Sequence, residues 1–191
     1  MMKEKLLLVG AGGFGRIVME HAVKIYDCAF VDDSYPAKKE VCGIALVGKI
    51  SDLPALFGTY KKLIVVLGNT KLREQIYRQA QQIGYKFPNI IAATAYISPF
   101  ATIGNGCVIL NNAVVQNAAR IGNGVLLNPG VEIHHDSVIG DNTLIYSNSV
   151  IRTYARVGKR VQIGSTVSVS VNATVADDEI IPDGSVRGPQ Q

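Results

Sequence analysis

Two histidines stand side by side in this 191-residue chain, His134 and His135, and Asp136 follows at once. An imidazole, with an ordinary pKa of roughly 6.5, can take a proton at neutral pH, and a neighbouring carboxylate can orient the ring and hold its charge. The trio suits general-base work, with His135 beside the acid and His134 in reserve. A three-histidine zinc site is a poorer reading. The remaining histidine, His21, is remote in sequence, and adjacent residues rarely chelate one ion together. A second cluster lies near the start, where Gly10, Gly12 and Gly15 spell GxGxxG, with Gly13 inside it. Glycines in such a loop let backbone N–H groups approach a phosphate, and a following helix N-terminus favours the anion. Asp32 and Asp33 come about twenty residues later, at the distance from which an acidic side chain accepts from a ribose or base. Cys28, Cys42 and Cys107 form no CxxC pair and leave one over, which argues against a disulfide framework and for a reducing compartment.

The elements that must carry these residues follow two grammars. Lys5–Val9 reads as a buried strand leading into the glycine loop, and Arg16–Lys24 as an amphipathic helix. Cys28–Val31 is a second strand ending at Asp32-Asp33, and Leu63–Leu67 a third ending at Gly68-Asn69. Thr70–Ile83 is a helix with Leu72, Ile76, Ala80 and Ile83 on one face and Gly84 as its stop. Strands alternating with helices predict a small Rossmann-like α/β domain over residues 1–88, with Gly84–Ile90 as the joint. From Ile91 to Ile181 an aliphatic residue recurs every six positions without a slip. A small or β-branched residue stands four places after each, from Ala101 to Ala173, until Glu179 breaks the series. A period of six fits neither a helix nor a hairpin array. It fits a parallel β-helix over residues 89–191, each hexapeptide being one short strand and a turn. The aliphatic points inward, the small residue fits the corner, and glycine or asparagine relieves positive φ in the turn. His134 and His135 then face outward, and Cys107 falls in the inward series as core, not as a nucleophile.

Composition closes off other classes. Apolar residues make up 48% and charged residues 18%, which excludes intrinsic disorder. The net charge of +4 is scattered, with no basic run, so nucleic acid is not an expected partner. The apolar run Leu6–Val9 is too short for a signal peptide and no stretch reaches the length of a membrane span, so no membrane partner is expected and the protein is read as cytoplasmic.

The hexapeptide half resembles the hexapeptide-repeat acyltransferases, and the resemblance, not the spacing, implies a left-handed β-helix. The two halves together resemble the sugar O- and N-acetyltransferases grouped with sialic acid O-acetyltransferase, bacillosamine N-acetyltransferase and perosamine N-acetyltransferase. The pieces that carry the likeness are Leu6–Gly13, Phe30–Asp33, Leu67–Asn69, Asn128–Asp141 and the exit sequence Ile181–Pro189. The resemblance implies an acetyl-CoA-dependent transfer to a sugar, foremost N-acetylation of a nucleotide-linked amino sugar, by direct attack with His135 as base and Asp136 as its orienting acid. It implies acceptor contacts from Gly10, Gly12, Gly13, Asp32, Asp33, Gly68, Asn69, Asn128 and His134. Acetyl-CoA contacts are implied for Thr153, Gly164 and Ser165, with the Thr153 backbone N–H facing the thioester oxygen. It also implies a homotrimer with active sites between subunits, a place in polysaccharide synthesis and no metal. Two alternatives stand beside this: O-acetylation of sialic acid or another free sugar, and a non-catalytic scaffold that binds sugar nucleotides. Three residues depart from the family pattern: Phe14 where the loop often carries histidine, Leu144 where some members have a second histidine, and Thr153 where glycine is common.

Overall fold

Leu6, Leu7, Leu8 and Val9 have no exposed surface, as a strand covered on both faces requires. They belong to β1 (Lys5–Val9), which is followed in order by α1 (Gly13–Ala22), β2 (Asp27–Val31), β3 (Glu40–Val41), β4 (Ile44–Gly48), α2 (Leu53–Leu56), β5 (Lys62–Val65) and α3 (Thr70–Ile83). This computed structural model describes residues 3–189 and divides the chain into two units, one ending at Ile90 and one starting at Ile91. In the first unit the sheet order is β3-β4-β2-β1-β5. β1 runs parallel to β2 and β5, β2 parallel to β4, and only β3 is antiparallel to its neighbour. The chain leaves β1 to one side for β2 and later fills the other side with β5. The carboxyl ends of β1 and β5 therefore flank a topological switch point, the place where open α/β sheets take ligands.

Several local features differ from the sequence reading. α1 starts at Gly13, three residues before Arg16, because the glycine turn itself supplies the first helical turn. The β3–β4 hairpin was not expected. Its two-residue turn holds Cys42 and Gly43 at φ 51° and 73°, the primed geometry that suits strand twist. α3 has the expected bounds, with Asn69 capping its start and left-handed Gly84 ending it. Tyr85 is buried, its hydroxyl donates to the Leu53 carbonyl at 2.7 Å, and Phe87 packs on the same core.

Among the described residues, seventeen two-residue strands, from Ile90–Ile91 to Val186–Arg187, form three parallel sheets of six, five and six strands. Each strand pairs with the one eighteen residues on, as Val114 does with Glu132 and Glu132 with Val150. Three hexapeptides thus make one coil of a parallel β-helix. Both periodic series form its core. Ile109, Val115, Ile133, Ile145, Ile151 and Ile163 are fully buried, as are Cys107, Ser137, Thr143 and Ser149 of the corner series. Ile91, at the first coil, is 38% exposed because no earlier coil stacks on it. The corners separate two glycine roles that the sequence reading merged. The third residue after each inward aliphatic, from Gly106 to Gly184, is left-handed with φ of 55–72°. The glycines directly after the aliphatic are needed for close stacking instead: a Cβ on Gly140 would stand 2.5 Å from the Gly158 carbonyl carbon.

Candidate active site

His135 sits at the corner after the strand Glu132–Ile133, and the fold holds it from three sides. Asp136 occupies the left-handed corner position, at φ 59°, which aspartate tolerates better than most residues. From there its carboxylate reaches the His135 ring, Oδ2 lying 2.8 Å from Nδ1. One coil earlier, Gln116 Oε1 accepts from the His135 backbone N–H at 3.1 Å. One coil later, Thr153 Oγ1 lies 3.2 Å from His135 Nε2, and the Tyr154 ring packs edge-on at 5.9 Å between centroids. An ionised carboxylate can only accept, so Nδ1 carries the ring proton and, in the neutral ring, Nε2 turns its lone pair to Thr153 Oγ1. The acid that orients the ring comes from the same chain; the sequence reading had left room for a contact across an interface. His134 pairs with Glu132 at a looser 3.4 Å through Nε2, and its carbonyl accepts from the buried Ser137 hydroxyl at 2.5 Å. Of the two rings, His135 alone joins a close carboxylate at one nitrogen to a hydroxyl, Thr153 Oγ1, at the other. The side chains of His135 and Asp136 are 49% and 42% exposed, open enough for a substrate to reach.

Thr153 stacks on His135 in the next coil. Outward N–H groups at this turn position often find side-chain acceptors, as Lys159 does on Asp177 and Ser165 on Asp183. Among the described residues no acceptor meets the Thr153 N–H. The other second-unit candidates lie on a different corner, after the strands of the third sheet. Asn128 is 8% exposed and its amide donates to the Ile145 carbonyl at 3.1 Å. Gly164 is required for stacking, since a Cβ would meet Asp183 at 2.5 Å. Within one chain these three residues and His135 are not brought together.

In the first unit the candidates gather at the carboxyl ends of β1, β2 and β5. Gly10, at φ 112°, needs its conformation, and a Cβ on Gly15 would sit 1.9 Å from the Gly10 carbonyl oxygen. Gly12 is different: a Cβ there meets nothing within 4 Å, and on Gly13 it would meet only the Arg16 guanidinium at 3.9 Å. α1 has no side-chain cap and no acid in its first turn, so no side chain of the turn satisfies its leading N–H groups. Asp32 ties the loop down. Its Oδ2 accepts from Ala11 N–H and its Oδ1 from Ser34 N–H, both at 2.9 Å. Burial pushes this carboxyl up, but the backbone donors outweigh it and hold it below the usual carboxylate range. Asp33 Oδ1 accepts from Ile50 N–H at 3.1 Å. Asn69 spends its side-chain oxygen on the Leu72 N–H, and Gly68 precedes it in the same turn.

Residues 5–80 match the PglD N-terminal domain family, and residues 86–189, more than half the chain, belong to the GMPPB C-terminal domain family. The acetyltransferase domain of PglB from Neisseria gonorrhoeae is 29% identical, with a TM-score of 0.89 over 96% of this chain and 91% of that one. A second structure of that domain, in complex with acetyl coenzyme A, is 28% identical, with a TM-score of 0.73 over 99% and 98%. The chain belongs to the hexapeptide-repeat sugar acetyltransferase family. PerB from Caulobacter crescentus, in complex with CoA and GDP-perosamine, shares the fold at 23% identity, with a TM-score of 0.55 over 96% of this chain and 93% of that one. As a sugar acetyltransferase the protein is an acyl-transfer enzyme whose β-helix is left-handed. Among the described residues, no group of three or more histidine, cysteine or acidic side chains could hold a metal ion, and no helix is long and apolar enough to cross a membrane.

Sequence reasoning missed four residues that lie beside these candidates. Glu132 meets His134 within the same coil, two residues before it, whereas Gln116 and Tyr154 touch His135 because coils stack, and a spacing of eighteen residues from His134 and Asp136 is the signal that locates Gln116 below and Tyr154 above. Arg16 was counted as part of an amphipathic helix, and its place beside the glycine loop follows from α1 starting early.

Proposed function

We propose that the protein transfers the acetyl group of acetyl-CoA to the amino group of a nucleotide-linked amino sugar, with His135 as general base. The observation that carries this reading is the His135–Asp136 pair. One ring nitrogen is held at 2.8 Å from a carboxylate and the other faces the Thr153 hydroxyl at 3.2 Å, on a fold whose PglB relative holds acetyl coenzyme A. The amine attacks the thioester carbonyl directly. His135 takes its proton, Asp136 stabilises the imidazolium, and the Thr153 N–H donates to the developing oxyanion. The thiol leaves with the proton returned from His135. The uncapped start of α1, the space above Gly12 and the Arg16 guanidinium suit the diphosphate of the acceptor. PerB, of the same fold, was solved with GDP-perosamine, a nucleotide sugar.

The separation of His135 and Thr153 from Asn128, Gly164 and Ser165 supports an assembly. These sets lie on different corners of one β-helix, so an acetyl-CoA touched by both lies between two copies of the chain. Phe100 and Tyr154, 73% and 53% exposed on the His135 corner, supply apolar surface for such a contact. A homotrimer is the assembly this reading expects.

The test is thiol release from acetyl-CoA with UDP-, GDP- and dTDP-linked amino sugars and with free sialic acid, for the unaltered protein and for His135→Ala. Release with one nucleotide amino sugar that falls by orders of magnitude in His135→Ala supports the reading. Release with sialic acid alone replaces it with O-acetylation of a free sugar. Binding of sugar nucleotide without any thiol release leaves the scaffold alternative.

A further inference from the structure

Nε2 of His135 has one lone pair, and the Thr153 hydroxyl, 3.2 Å away, already occupies it. The direction of that bond is fixed by the rest of the network. Asp136 requires the proton on Nδ1, so in the neutral ring, the form that acts as base, Nε2 accepts and Oγ1 donates. A second donor cannot use the same lone pair. An acceptor amine must therefore expel the threonine hydroxyl or work through it. The hydroxyl keeps its own oxygen lone pairs free to receive a proton. Tyr154, packed edge-on at 5.9 Å, and Asp136, at Nδ1, flank the ring elsewhere.

We propose that Thr153 is a catalytic residue whose hydroxyl relays the proton between the acceptor and His135. This rests on His135 being the base. As the amine nitrogen bonds to the thioester carbon, its N–H proton passes to Thr153 Oγ1 while the Oγ1 proton passes to His135 Nε2, and the carbonyl π pair moves to the oxygen. On collapse the C–S bond breaks, Nε2 returns a proton through the same hydroxyl, and the CoA thiol leaves protonated. The hydroxyl ends unchanged. This role belongs to the side chain and is separate from the oxyanion contact of the Thr153 backbone N–H.

The experiment compares Thr153→Val, which keeps the shape and removes the hydroxyl, with Thr153→Ser, which restores it, and adds Thr153→Ala as a second deletion. Each is assayed with the panel acceptor that the unaltered enzyme turns over fastest, and with acetyl-CoA alone, where water is the acceptor. The relay predicts that kcat falls about 100-fold or more in the valine and alanine variants, within the range of general-base losses. It predicts that KM for acetyl-CoA stays within about twofold, that serine recovers most of the rate, and that adding Thr153→Val to His135→Ala costs nothing further. Two protons in flight also predict a bowed dependence of rate on the deuterium fraction of the solvent. Valine and alanine variants that keep kcat within about threefold, or a linear deuterium dependence, overturn the relay while leaving His135 as base. If His135→Ala itself keeps its rate, the base assignment fails and the relay falls with it.

Discussion

Asp136 does two things that one residue type combines well. It takes a left-handed corner at φ 59°, and it holds the ring of its neighbour at 2.8 Å. Asparagine would satisfy the corner equally but could leave the proton on the wrong nitrogen, because an amide can donate to Nδ1 as well as accept. Asp136→Asn is expected to keep the fold and the affinity for acetyl-CoA and to lose turnover. His135→Ala is expected to lose about 10²–10⁴-fold in kcat, the usual range for general-base removal. Both are read by thiol release beside a binding isotherm for acetyl-CoA. His135→Ala with unchanged turnover transfers the role to His134, whose carbonyl is anchored by the Ser137 hydroxyl. Cys107 and Cys28 are outside this chemistry. Cys107 has no exposed surface, and burial, then Asp27, pushes the Cys28 thiol up to about 11.

The glycine turn between β1 and α1 separates structural from binding glycines. Gly10→Ala forces an L side chain to φ 112° and sets its Cβ 2.7 Å from Leu67 Cδ2, a strain of about 1–3 kcal/mol that thermal unfolding should register. Gly12→Ala meets no atom, so its melting temperature should be unchanged while KM for the nucleotide sugar rises. If Gly12→Ala binds the acceptor as well as the unaltered protein does, the turn is only a turn. Asp32 gives this element a pH signature. Its carboxyl is held below its unfolded value of about 3.9. The stability it adds is therefore complete above about pH 4 and is lost as pH falls through the folded value. Urea unfolding should show Asp32→Asn less stable than the unaltered protein at pH 7, with the gap closing below about pH 4. A gap that persists into acid would mean that the carboxylate charge is not what holds Ala11 and Ser34.

The whole enzyme needs more than one copy if acetyl-CoA touches both the His135 corner and the Ser165 corner. Light scattering should then give the mass of three chains. Two inactive variants offer a sharper check: His135→Ala, and Ser165→Trp, which fills the other corner. Mixed after mild dissociation, they should regain part of the activity, since some interfaces combine an intact His135 corner with an intact Ser165 corner. No recovery in verified mixed oligomers would place the whole site on one chain.

The six-residue period by itself determined the β-helix, because the inward position must be aliphatic in every coil and the chain satisfies this from Ile91 to Ile181 without a slip. Glycine spacing determined the turn after β1, since a backbone passing this close to α1 tolerates no Cβ at Gly15. His135 and Asp136 were legible because they are adjacent. The β3–β4 hairpin was not, because two strands this short leave too little alternation to read. The tertiary structure alone decided which residues surround His135. Gln116, Thr153 and Tyr154 lie a full coil away along the chain and touch it through stacking of successive coils, so the polar turn positions carry no local pattern that announces the contact. It also decided that Asn128, Gly164 and Ser165 stand on another corner: a hexapeptide step moves the chain to the next sheet, and only an eighteen-residue step returns it to the same one.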